Sequence, residues 1–156
     1  MYPRMHPVLN DPMSKAPIIS TRRSLSIALL RTREAVMQHF RPHLAELGLT
    51  EQQWRVLRVL GEDGPKEAGQ VAQRACVLPP SLSRIIKTLS EMGYVNSGTH
   101  GQDARRTVLS LSPQGEKVLL KALPRSAEIY ADLEQRIGAT KLQRLLEMLE
   151  DVQEKL

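Results

Sequence analysis

Cysteine occurs once in these 156 residues, at Cys76, so no internal disulfide framework can hold the chain, and a reducing cytoplasm suits it. No apolar run approaches the roughly 20 residues that a membrane-spanning helix needs, and no leader pattern opens the chain. A glycine-rich phosphate loop, a metalloprotease helix and a nucleophile with base and orienter are also missing, which argues against an enzyme and against a bound cofactor. Aromatic residues are scarce, with one Phe, one Trp and three Tyr. Positive charge is what the chain has in excess. Lys and Arg outnumber Asp and Glu by 22 to 17, with a pI near 9.7. That balance fits a nucleic-acid binder, although a membrane surface would attract the same charge. The length suffices for one domain with a core of its own.

Helix punctuation divides the chain. Residues 1–19 contain Pro3, Pro7, Pro12 and Pro17 and little periodicity, and are expected to form a flexible arm. A single domain is expected over residues 20–156. A long helix is expected over residues 20–47, with Leu25, Leu29, Val36 and Phe40 near one side and a kink or break at Pro42. Thr50-Glu51-Gln52-Gln53 has the spacing of a capping box, in which each end satisfies the other's amide. The helix that follows carries Trp54, Leu57 and Leu60 and stops by Gly64-Pro65. Further on, Ser112-Pro113 reads as N-cap and first residue of another long helix. Its seam is expected at Leu119, Leu123, Ala127, Tyr130 and Ile137, with a bend at Pro124. Thr140–Gln143 reads as a second capping box. The last helix is expected to bury Leu142, Leu145, Leu146, Leu149, Val152 and Leu156.

Residues 50–112 lie between these long helices and hold the most informative pattern. Val71, Ala72 and Ala75 repeat at helical spacing, followed by the apolar turn Cys76-Val77-Leu78 and by Pro79-Pro80, which can open a new helix. In that helix Leu82, Ile85, Ile86 and Leu89 form one stripe, Ser81, Arg84, Lys87, Thr88 and Glu91 the opposite face, and Gly93 the stop. Tyr94-Val95 begins a strand and Thr107–Leu111 alternates as a returning one, with a polar loop expected over Asn96–Asp103. The order describes a mainly α (α+β) fold, a winged helix-turn-helix flanked by long N- and C-terminal helices. In such a unit the second helix enters the major groove by its N-terminal end. The expected DNA contacts are therefore Pro80, Ser81, Ser83, Arg84 and Lys87, with Arg105 and Arg106 on the wing. Phosphate would repel Asp103, which is expected to hold the arginines by ion pairing.

The layout and the Asp103-Ala104-Arg105-Arg106 wing resemble the MarR family of bacterial regulators. Ser24–Leu30, Arg33-Glu34-Ala35, Phe40-Arg41-Pro42 and Leu49–Arg55 resemble its HpaR branch, whose members repress operons of aromatic catabolism. The resemblance runs from about Ser24 to the C-terminus. It implies a homodimer on double-stranded operator DNA, with residues 20–47 and 113–156 as dimerisation helices. It also implies release by a small aromatic carboxylate, of the hydroxyphenylacetate or hydroxynicotinate kind. The effector pocket it implies, where the first two helices meet a later dimerisation helix, offers Ser24, Arg31, Arg33, His39, Trp54 and Arg55. An arginine or protonated histidine suits the carboxylate, and Trp54 suits the ring unless it serves as a core anchor. Arg33 has Glu34 beside it as a competing partner. Two other switches fit the sequence. His39 and His43 stand at i and i+4, a metal-binding spacing, though Pro42 lies between them. Cys76 offers a thiol for oxidation, but its apolar neighbours predict burial.

Overall fold

The computed structural model describes Thr21, residues 24–100 and residues 103–156, and for His100 and residues 103–105 the backbone only. The arm expected over residues 1–19 lies outside the described residues. In chain order the elements are α1 (Leu25–Glu46), α2 (Glu51–Asp63), β1 (Lys66–Glu67), α3 (Ala68–Arg74), α4 (Pro79–Glu91), β2 (Val95–His100), β3 (Asp103–Leu111), α5 (Pro113–Ile137) and α6 (Ala139–Glu154). Contacts divide the chain into two compact units, Met1–Ala35 and Val36–Leu156. Within the first, Ser24 Oγ and Ser26 Oγ share a hydrogen bond of 3.0 Å at the start of α1.

In the second unit α2 is the central element. Thr50 Oγ1 accepts from the Gln53 amide while Gln53 Oε1 accepts from the Thr50 amide, so both exposed donors of the first turn are satisfied. The helix then buries Trp54, Val56, Leu57, Val59 and Leu60 over more than half of its circumference. Its core partners include Phe40 and Leu44 of α1, Val71 and Ala72 of α3, Leu82, Ile85 and Leu89 of α4, Leu109 of β3 and Leu119 of α5.

The three strands form one antiparallel sheet in the order β1-β3-β2. β1 pairs with β3 through Lys66↔Leu109 and Glu67↔Val108. The hairpin is longer than the sequence suggested. Asn96–His100 and Asp103, expected as a polar loop, pair across β2 and β3, with a register shift between Thr99 and His100. Asn96–Thr99 are all exposed, so this outer part of the wing carries no apolar alternation to read. β1 escaped notice for a related reason, since two residues show no period.

α5 is tightly joined to the end of the wing. The Ser112 amide donates to the Tyr94 carbonyl at 2.9 Å, and Ser112 Oγ accepts from the Gly115 amide at 3.0 Å as the helix N-cap. A Cβ on Gly115 would stand 2.0 Å from the Tyr94 carbonyl oxygen, so only glycine fits this joint.

The long helices differ from expectation in four respects. First, the break allowed for at Pro42 does not occur: α1 continues as helix through it, as α5 does through Pro124. Each proline leaves one carbonyl without its helical donor, those of Gln38 and Leu120. Both belong to exposed residues, where water can replace the lost N–H. Second, the buried stripe of α5 is Leu119, Ala122, Ser126 and Ile129. Of the expected seam only Leu119 is buried, while Leu123, Ala127 and Tyr130 face outward. Third, Thr140 does not cap α6. Gly138, with φ +92°, ends α5 and serves as N-cap of α6, its carbonyl accepting from Leu142. Thr140 is therefore already helical, and Gln143 bonds Glu147. Fourth, α6 buries none of its residues within the chain. Leu142, Leu145, Leu149 and Val152 are half-buried, and Leu146 and Leu156 are exposed.

Candidate nucleic-acid interface and effector site

α3, the turn Ala75–Leu78 and α4 form the helix-turn-helix. The turn is set by Cys76, the one non-glycine residue with positive φ (+50°) among the described residues. That conformation turns Cys76 out to solvent while Val77 and Ala75 enter the core. The burial predicted for Cys76 from its apolar neighbours is thus incorrect, because burial follows backbone direction at a left-handed residue. Pro79 and Pro80 occupy the first positions of α4, where no amide is needed. Gly93, at φ +74°, follows the helix as predicted.

Leu82, Ile85 and Leu89 anchor the inner face of α4. Pro80, Ser83, Arg84 and Lys87 stand on the outside, and Ser81 is half-buried. Ser83 Oγ donates to the Pro79 carbonyl at 3.4 Å, and Thr88 Oγ1 to the Arg84 carbonyl at 3.2 Å. Arg84 and Lys87 form no ion pair with a carboxylate among the described residues, whereas Arg74 is held on Asp63 at 3.1 Å, with Lys66 3.5 Å away. The Arg74 hydrogen bond holds the Asp63 carboxyl below its ordinary range. Charge on the unit is thus sorted: cations that brace its scaffold are paired, and those on the outer face of α4 are available to an anion. On the wing, Arg106 reaches Glu67 at 3.1 Å. The predicted Asp103 and Arg105 contacts lie outside the described side chains.

The six predicted effector residues divide between the two compact units. Ser24 is half-buried against Ser26, Arg31 is exposed, and Arg33 pairs with Glu34 at 3.0 Å. These three precede the division after Ala35. In the second unit His39 is exposed and Trp54 is 5% exposed, a core anchor. Arg55 is half-buried, and its Nε is enclosed without a hydrogen-bond partner. A cleft of about 600 Å³ is lined by Lys66, Glu67, Gln70, Asn96, Ser97 and Thr99 among others, and by none of the six.

Two polar residues inside the α1–α5 packing were not predicted as contacts. His43 is buried with Nε2 3.1 Å from the Ala122 carbonyl. Ser126 Oγ, one turn further along α5, is buried with no partner. Phe40 and Tyr130, nearby in sequence on the same helices, meet with their rings tilted by 56° and ring centres 4.8 Å apart. A serine in an apolar stripe at i+4 from Ala122 was the available signal. The burial of His43 and exposure of His39 separate the pair read as a metal site, and no cluster of three His, Cys, Asp or Glu residues occurs among the described residues. No described helix is long and apolar enough to cross a membrane.

Comparison with known proteins agrees with this geometry. Residues 49–107 match the MarR family profile. Over 128 residues the chain is 38% identical to the homoprotocatechuate degradative operon repressor of Escherichia coli, covering 82% of this chain and 86% of that one. Over 136 residues it is 35% identical to the HTH-type transcriptional regulator FarR of Neisseria gonorrhoeae, covering 87% and 93%. The crystal structure of NadR in complex with 4-hydroxyphenylacetate matches with a TM-score of 0.76 at 35% identity, covering 88% of this chain and 97% of that one. With a helix-turn-helix, a wing and relatives of this similarity over most of its length, the chain belongs to the MarR family of transcriptional regulators and is not an enzyme.

Proposed function

We propose that the protein is a homodimeric repressor of an operon for aromatic-compound catabolism, released from a palindromic operator by a small aromatic carboxylate. The observation that carries the DNA half of this reading is the outer face of α4, where Arg84 and Lys87 stand exposed and unpaired with any described carboxylate beside Pro80, Ser81 and Ser83. Arginine supplies a bidentate contact to guanine, lysine a phosphate contact. Arg105 and Arg106 on the wing complete the basic surface, with Asp103 holding it. Residues 50–112 are the reading unit; residues 20–47 and 113–156 bring two such units together. The outward leucines of α5 and α6 gain burial when a second copy covers them, and two recognition helices then stand about one DNA turn (~34 Å) apart. Such a repressor acts in the cytoplasm, where it meets its operator.

The effector class rests on the relatives. One is named for homoprotocatechuate degradation and another holds 4-hydroxyphenylacetate; both compounds are hydroxylated phenylacetates. In this chain Arg55 is the first choice for the carboxylate, because its enclosed Nε lacks an acceptor that an anion would provide. His39 and Trp54 belong to the same compact unit, while Ser24, Arg31 and Arg33 are secondary choices. Fluorescence-anisotropy titration of DNA upstream of the gene, repeated with a panel of aromatic acids, tests the reading. Tight, salt-sensitive binding that one acid reverses supports it. Binding that no acid disturbs removes the effector half, and no binding to any candidate operator removes the whole.

A further inference from the structure

The wing of this protein stands on a narrow base. β1 pairs with β3 only through Lys66↔Leu109 and Glu67↔Val108. From Val108 the strand continues five residues to Asp103, roughly 17 Å at the usual strand rise. One described ion pair extends the support outward: Arg106 Nη1 to Glu67 Oε1 at 3.1 Å. The register explains why it forms. Glu67 is opposite Val108, and Arg106, two residues along, lies on the same face of the strand, within reach of a long side chain on a diagonal neighbour.

Glu67 has a second position of note. It is the N-cap of α3, the first helix of the helix-turn-helix, yet its side chain makes no cap hydrogen bond. A side chain placed to cap the helix instead reaches across 39 residues of sequence to the wing. The backbone at Glu67 begins α3, and its carboxylate holds β3, so one residue fixes the wing relative to the helix-turn-helix. The side chains are 61% and 36% exposed, which makes the pair a modest contributor to stability; its consequence is geometric.

We infer that Glu67 is a positioning residue for DNA binding, and that the adjacent wing arginines divide the work: Arg106 braces the wing on Glu67, while Arg105 engages the DNA. This rests on the repressor reading above. A phosphate contact and a brace respond differently to salt and to charge reversal, which makes the assignment testable on the full chain. Operator titrations over a salt series compare Glu67→Gln, Arg106→Gln, their double variant, the reversal Glu67→Arg with Arg106→Glu, and Arg105→Gln. The brace predicts that Glu67→Gln and Arg106→Gln each weaken operator binding by about two- to fivefold. The double variant is no worse than either single one, the reversed pair recovers most of the affinity, and the salt slope stays near that of the unaltered chain. Arg105→Gln, by contrast, lowers the slope by about one. The assignment is overturned if Arg106→Gln lowers the slope by about one while Glu67→Gln tightens binding, for Arg106 then serves phosphate and Glu67 competes with it. Additive losses, or a reversed pair without recovery, overturn it as well. An unaltered chain that binds no operator would overturn the repressor reading first, and is read out before any variant.

Discussion

α2 and α6 are amphipathic helices of similar length, 13 and 16 residues, with opposite fates. α2 lies between α1, α3, α4, α5 and β3 and buries six of its residues, Gln53 among them. α6 packs chiefly on α5 and buries none of its residues, leaving Leu146 and Met148 exposed. Periodicity in the two sequences is alike. It announces an apolar face but not what covers it, and here the first face is covered by the chain's own fold while the second stays largely open within the chain. On the function proposed above, the helix-turn-helix and wing form the reading unit and the outward face of the C-terminal helices is the one a second copy covers.

Four outcomes break or sharpen that comparison, the largest first. Leu57→Ala, at a fully buried position, is expected to cost about 2–5 kcal/mol, measured by denaturant unfolding. A cost below 1 kcal/mol would mean the reading unit is not packed as described. Leu149→Glu on α6 is expected to leave the helix-turn-helix folded while raising the dimer dissociation constant on the order of a hundredfold. Sedimentation at several concentrations reads this out, and an intact dimer would show that α6 is covered elsewhere. Arg84→Ala is expected to cost about 1–3 kcal/mol of operator binding with no change in the dimer, so an unchanged affinity would displace it from the recognition face. Smallest is the effect of Asp63, whose carboxyl Arg74 holds below its ordinary range. A lowered folded pKa means the pair's contribution is present above the ordinary carboxylate value and fades as pH falls through the depressed one. The melting temperatures of the unaltered chain and Asp63→Asn should accordingly differ at neutral pH, begin to approach each other as pH falls below about 4, and converge only below the depressed value. A constant gap across that range would assign the difference to something other than ionisation.

Much of the reading unit was legible because each local signal agreed with its neighbours. The Thr50–Gln53 box, the Pro79-Pro80 start, the Leu82/Ile85/Leu89 stripe and the Gly93 stop all describe one structure, and all are found. The errors occur where a residue has two plausible partners. α5 carries two apolar stripes, and the sequence offered no reason to prefer Leu119–Ala122–Ser126 as the inner one. Thr140 had the spacing of a cap, but Gly138 had already turned the chain. Cys76 had apolar neighbours and a left-handed backbone, and the backbone decided. The effector residues were legible only through resemblance, since nothing local tells an arginine that awaits a carboxylate from one that is solvated. The enclosed Arg55 Nε and Ser126 Oγ emerge only when burial and hydrogen bonding are seen together.

The central claim is that operator and effector bind one dimer and oppose each other. Linkage makes this a single number obtainable twice: the factor by which the acid weakens operator binding must equal the factor by which operator weakens acid binding. Calorimetric titration of the releasing acid into the free dimer and into the dimer–operator complex, beside the anisotropy titration, is the most direct test. The account predicts weaker acid binding by the complex, with the two factors equal. Equal acid affinity in both states, with operator binding unaffected by acid, would contradict it.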